Sequence, residues 1–154
     1  MVTEEEFTAL VGPAGWFPFR RVDTSAAVEM WTERGFALSR AAVAFVAEFD
    51  QISLEYPRHP SVGGMHTCLL DAVQATRSIY TETLNSYSER VQEQLCPIGL
   101  AASSHLVLMI APTGRIYGGY ANFLAYYGSN GREAIWNICH RIDGLRIDES
   151  TPTI

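Results

Sequence analysis

Residues 95–120, LCPIGLAASSHLVLMIAPTGRIYGGY, decide how this chain folds. Within them Leu106-Val107-Leu108-Met109-Ile110 is the most apolar run in the protein. It is too short to cross a membrane and too continuous for a strand with one wet face. A strand buried on both faces fits it. Ala111-Pro112-Thr113-Gly114 follows. Pro presets φ for the second position of a turn, and Gly supplies the positive φ needed to re-enter a strand. Arg115 to Tyr120 then alternates, so residues 106–120 predict a β-hairpin. Leu95 to Leu100 predicts the preceding strand. Pro97 lacks a donor, which favours an edge or the first position of that strand.

Outward from the hairpin, the pattern alternates helices and strands. Thr3 with Glu6 makes a capping box for a short helix over 3–11, stopped by Gly12-Pro13. An aromatic-basic connection, Ala14 to Asp23, leads to a helix that Asp23 or Thr24 caps and Gly35 ends. Ser39 opens a third helix, with Ala42, Phe45, Val46 and Phe49 on one face. Ile52–Tyr56 and Met65–Leu70 predict strands, separated by a Pro/Gly loop. Residues 71–94 read as helical, with Ser86 and Glu89 as a second capping box. Phe123–Tyr127 predicts a strand, 131–142 a last amphipathic helix, and the tail from Asp143 through Pro152 a polar, frayed end.

The totals narrow the function classes. A length of 154 residues suits one domain, 1–154, able to bury a core without staples. The net charge of −6 argues against nucleic acid as a direct ligand, because phosphate neutralisation needs basic clusters. All 11 basic residues are Arg, so Schiff-base and Lys general-base chemistry are excluded. The acidic N-terminal residues are unlike a secretory signal, and no apolar run suits a membrane span. Cys68, Cys96 and Cys139 are far apart with no C-x-x-C and read as buried reduced thiols of a cytoplasmic protein.

No arrangement of residues makes a convincing catalytic or metal site. His59, His66 and Cys68 have no standard zinc spacing, so no metal or other cofactor is expected. Ser103-Ser104-His105 lacks a nucleophile elbow and reads as a turn between strands. Glu48 and Asp50 flank a helix end, where contact with solvent accounts for them. Charge is uneven, however. Residues 48–93 hold seven acids against three Arg, which is either a solvated helix face or an acidic docking surface. Tyr117, Tyr120, Tyr126 and Tyr127 gather around the hairpin, as core packing or as an interface.

The segments in order resemble a known family. Ala14-Gly15-Trp16-x-Pro18-x-Arg20-x-Val22, the helix Ala41–Phe49, Leu95-x-Pro97-Ile98-Gly99, Gly114-Arg115-Ile116-Tyr117 and the final helix 130–139 are similar to the third SUKH family, the bacterial immunity proteins of polymorphic toxin systems. Leu100-Ala101-Ala102-Ser103 and Gly118-Gly119 depart from its more acidic or bulky pattern. The resemblance implies an α+β fold with a single mixed, mostly antiparallel sheet flanked by helices. It implies no enzymatic activity. The partner it implies is a cognate toxin domain, such as a nuclease or another nucleic-acid-modifying enzyme. A basic toxin groove suits an acidic inhibitor, so the expected partner-binding residues are Asp71, Glu82, Glu89, Glu93, Ser103, His105 and Tyr117. The alternatives are a module of the same fold with a regulatory or scaffolding partner, and a small-molecule binder or enzyme.

Overall fold

The computed structural model describes residues 2–148. Helix α1 (Glu4–Val11) starts as its sequence predicts: the Thr3 hydroxyl accepts from Glu6 N–H at 3.1 Å, and Glu6 reaches back to the Thr3 N–H. A short 3₁₀ turn (Gly12–Ala14) leads into the connection to α2 (Ser25–Glu33). Asp23 holds the start of α2 by accepting from Ser25 N–H at 2.8 Å, while Thr24 caps nothing. Helix α3 (Arg40–Phe49) is capped by Ser39 and buries Ala42, Phe45, Val46 and Phe49.

Seven strands follow in a meander: β1 (Ile52–Pro57), β2 (Met65–Leu70), β3 (Cys96–Ala101), β4 (Leu106–Ile110), β5 (Ile116–Tyr120), β6 (Phe123–Gly128) and β7 (Leu145–Arg146). Each pairs only with its neighbours in sequence, and among the described residues every pairing is antiparallel. The fold is α+β, with helices on both sides of the sheet. Residues opposite one another in register share a face. Leu54 lies opposite Cys68, and Cys68 sits against Cys139 at the end of helix α6 (Gly131–Cys139). Leu69, Leu100, Val107 and Gly119 line up on the other face and end beneath Tyr87 of α5 (Thr81–Val91).

Beside α6 lie α1 and α3, joined by edge-on aromatics. Phe7 meets Trp16 at 5.5 Å and Phe49 at 6.0 Å between ring centres. Such pairs add about 0.5–1.5 kcal/mol each beyond their burial. Strands β3 and β4 are buried along their whole length, as the continuous apolar run requires. All three cysteines are free and buried. Burial pushes the Cys139 thiol up to about 12 and the Cys96 thiol up to about 11, so both stay protonated.

Several expectations need correction. Residues 71–94 form two helices, α4 (Ala72–Arg77) and α5, broken at Ser78-Ile79-Tyr80. Arg34 holds the break, donating to the Thr76 and Ile79 carbonyls at 2.8 and 2.6 Å. Ser86 and Glu89 therefore lie inside α5 and cap nothing there; Tyr80 occupies the N-cap position. Pro97 sits in an inner strand, so the edge alternative fails, while the strand-start alternative misses by one place, Pro97 being the second residue of β3. It is tolerated because β2 pairs with β3 only at Leu69–Leu100, and the ladder to β4 is irregular between Pro97 and Gly99. The freed Pro97 carbonyl accepts from the Trp31 indole at 3.1 Å.

Glu48 and Asp50 are not simply solvated. Glu48 accepts from the Trp16 indole at 3.0 Å, and buried Asp50 accepts from Ala72 N–H at 2.9 Å. The stretch from Asp143 is not all loose, because Leu145 and Arg146 pair with Tyr126 and Ala125 as β7. Pro152 lies outside the described residues.

Candidate partner-binding surface

Helix α5 organises the surface where most of the predicted residues fall. Its apolar positions, Leu84 and Tyr87, turn inward. Tyr87 packs against the β5 backbone, where a Cβ on Gly119 would come within 2.7 Å of its ring. Its hydroxyl donates to the Ala121 carbonyl at 2.7 Å. Gly118 is equally confined, between Tyr127 and Leu106 at 2.8 and 2.9 Å from a Cβ. Gly119 is therefore a packing requirement of the helix-on-sheet approach, and Gly118 a packing requirement of the strand side chains on the opposite face.

Where α5 stands away from the sheet, a groove of about 600 Å³ opens between the start of α5 and the turns β3–β4 and β5–β6. Glu82 forms one wall, and Ser104 and His105 another. Tyr80 and Tyr120, 79% and 51% exposed, stand at its mouth. Tyr120 stacks on Phe123 at 5.0 Å. At the far end Arg90 donates to the Asn122 and Ile147 carbonyls and so ties α5 to the β5–β6 turn and to the chain after β7.

The β3–β4 turn that borders this groove is strained. Ala102, Ser103 and Ser104 have φ of +49°, +56° and +76° in succession. None is glycine, and each such residue costs about 1–2 kcal/mol. Long-range bonds impose the shape. Ser103 N–H donates to the Thr67 carbonyl at 3.0 Å, and Ala102 N–H to the Tyr56 hydroxyl at 2.9 Å. The Ser103 Oγ accepts from Thr67 N–H at 3.3 Å and lies 3.0 Å from His66 Nδ1.

Among the described residues that Ser–His contact has no orienting carboxylate. Partial burial lowers the His66 pKa first, and nearby Arg58 and His105 lower it further. A base held that way is weakened, and its serine is tied to a backbone amide, so the pair fastens a turn. Among the described residues no three His, Cys, Asp or Glu side chains gather as a metal site.

The predicted residues separate into groups. Glu82 and His105 share the groove, and exposed Ser103 adjoins it. Glu89 is exposed two helical turns beyond Glu82, on the same side of α5. Asp71 caps α4 by accepting from Gln74 N–H at 3.0 Å. Tyr117 is only 5% exposed, and its hydroxyl donates to Glu93 at 3.1 Å. Glu93 also accepts from the Thr113 hydroxyl at 2.7 Å and has Arg115 at 3.8 Å. Its side chain is 13% exposed, so it locks α5 to the β4–β5 turn and is unlike the free carboxylates Glu82 and Glu89. Sequence reasoning missed the groove residues Tyr80 and Asn122. Seeing them required knowing that the helical stretch breaks at 78–80.

A family model described as SUKH-3 immunity protein matches residues 3–141. The chain belongs to the SUKH-3 immunity protein family. Comparisons with curated proteins and with solved structures give no match. In this SUKH-3 chain the motif residues act structurally. Trp16 and Arg20 fasten the α1–α2 connection to the end of α3, Arg20 donating to the Glu48 and Asp50 carbonyls at 2.7 and 2.8 Å. Arg115 and Tyr117 converge on Glu93. No helix among the described residues is long and apolar enough to cross a membrane.

Proposed function

We propose that this SUKH-3 protein protects a cell by binding a cognate toxin domain directly, in the cytoplasm and without catalysis. The observation that carries the reading is the family match over nearly the whole chain. The surface that suits it is the α5 groove. Free carboxylates at Glu82 and Glu89 offer charge to a basic toxin site, as in a nuclease, and steer it on approach. Tyr80, Tyr120 and His105 supply large, half-polar side chains of the kind that dominate binding energy. The strained Ala102–Ser104 turn presents Ser103 and His105 in one fixed arrangement, which limits the entropy lost on association.

The test is co-expression with the C-terminal domain of the toxin encoded beside this chain's gene. Growth should be rescued, and the two proteins should elute as one complex. Absence of both rescue and complex would sink the proposal. The E82K/E89K double variant should keep the parent's melting temperature and bind about tenfold or more weakly. Unchanged affinity in that variant would move the toxin to another face.

A further inference from the structure

The connection between α1 and α2 carries a feature that neither the core nor the α5 groove uses. Phe17-Pro18-Phe19 forms an exposed tip, with Phe17 57% and Phe19 100% accessible. Phe19 also has φ +66°, a left-handed conformation costly for a bulky residue. The tip is held from both sides. Trp16 is bonded to Glu48, Arg20 to the Glu48 and Asp50 carbonyls, and Val22 N–H to the Ala47 carbonyl at 2.8 Å. Anchored residues thus force Phe17 and Phe19 into water, in a shape that the fold must sustain against strain.

Beside the tip runs a groove of about 460 Å³, with Phe19 on one wall, Ala44 and Ala47 of α3 on the floor, and Glu4 and Glu48 at the rim. Arg132 is already paired with both carboxylates, and Arg20 is spent on carbonyls. Arg21, also at the groove, is exposed and has no partner among the described residues.

We propose that this patch joins two copies of the chain about a two-fold axis. Phe19 of each copy fills the Ala44–Ala47 groove of the other, and Arg21 of each faces the Glu4 and Glu48 carboxylates opposite. A two-fold contact requires one patch to hold both halves of the fit, since the same surface meets itself. Here an exposed phenyl knob stands next to a groove with an alanine floor and a charged rim, and the unpaired Arg21 next to carboxylates that already hold Arg132. The four phenyl rings and the groove floors cover on the order of 1,000 Å², near the lower limit for a specific interface. The dimer is therefore weak and depends on concentration. The tip rides on α3, which packs beside α6, whereas α5 lies on the other face of the sheet, so pairing leaves both α5 grooves open.

Sedimentation velocity from about 5 to about 500 μM tests this, the span over which a weak dimer forms and dissociates. The parent should move from the mass of one chain towards two. Phe19→Gly suits the positive φ, so its melting temperature should not fall, while its association should need about tenfold or more protein. Arg21→Glu should weaken pairing in a salt-sensitive way. A parent that stays monomeric throughout, or a Phe19→Gly variant that associates like the parent, overturns the proposal. If the parent is monomeric and Phe19→Gly loses the toxin domain instead, the patch belongs to that partner and the two-fold contact is again excluded.

Discussion

The two ends of strand β4 are built in opposite ways. At one end, the turn to β5 is relaxed: Gly114 takes its one positive φ, +91°, and Ala111 and Arg115 close it with a 2.9 Å bond. Glu93 then locks it through Thr113 and Tyr117. At the other end, the turn from β3 has three positive φ values in a row and no glycine. Its shape is borrowed from Thr67, His66 and Tyr56 on β1 and β2. The relaxed turn is tied to the end of α5 through Glu93, while the strained turn forms a wall of the groove at the start of α5. A turn that only had to reverse the chain would use glycine, so the strain marks the end where side-chain placement matters.

The largest expected effects concern what the two ends share. Met109 is fully buried between them, and Met109→Asp should prevent folding, at a cost of about 4 kcal/mol or more for an unpaired buried charge. Circular dichroism of the purified variant checks it, and a cooperative melt near the parent's would show that β4 is not the core strand. Next comes the lock. Glu93→Lys strands two hydroxyl partners and sets a cation beside Arg115, so it should destabilise by about 2–3 kcal/mol. The same reversal at exposed Glu82 should stay within about 0.5 kcal/mol. Thermal melts of the two single variants compare them directly, and equal effects would erase the distinction between locked and free carboxylates.

That distinction was invisible in the sequence, where Glu82, Glu89 and Glu93 look alike. Local rules placed what depends on near neighbours: the Thr3–Glu6 capping box, the α3 stripe from Ala42 to Phe49, and the Leu106–Tyr120 hairpin. The motifs from Trp16 to Tyr117 also placed the family. What stayed hidden depends on residues far apart in the chain. Arg34 decides where the 71–94 stretch breaks, 42 residues before Thr76. Leu145 and Arg146 form a strand only because β6 offers a free edge, and their own side chains are exposed. Pro97 could be read as an edge or strand-start residue, and the choice stayed open because the shortness of the β2–β3 ladder cannot be read locally. The groove follows from these long-range decisions, so only Glu82 and His105 among its residues were anticipated as partner contacts.

Two smaller effects sharpen the contrast between the turns. Ser104→Gly at φ +76° should relieve strain and raise stability by about 0.5–1 kcal/mol, after allowing for the extra freedom of the unfolded glycine. Gly114→Ala at φ +91° should lower stability by about 1–2 kcal/mol, because there the glycine is already in use. Denaturant midpoints of the pair should move in opposite directions, and a shared direction would mean that the two turns are strained alike.

The smallest effect is a pH dependence at the strained end. His66, beside Ser103, has its pKa lowered below the usual 6.5, chiefly by partial burial and then by Arg58 and His105. The unfolded chain therefore binds a proton more readily than the folded one. The His66 contribution is intact above pH 6.5 and is lost as pH falls below it towards the lowered folded value. Melting temperatures followed downward through that window should drop more for the parent than for His66→Gln, which cannot titrate. The Thr113–Glu93–Tyr117 lock contains no histidine and should show no such step when probed by hydrogen exchange at Thr113 and Gly114. If the parent and His66→Gln lose stability equally on acidification, His66 carries none of the dependence and the tie to Ser103 is indifferent to its charge.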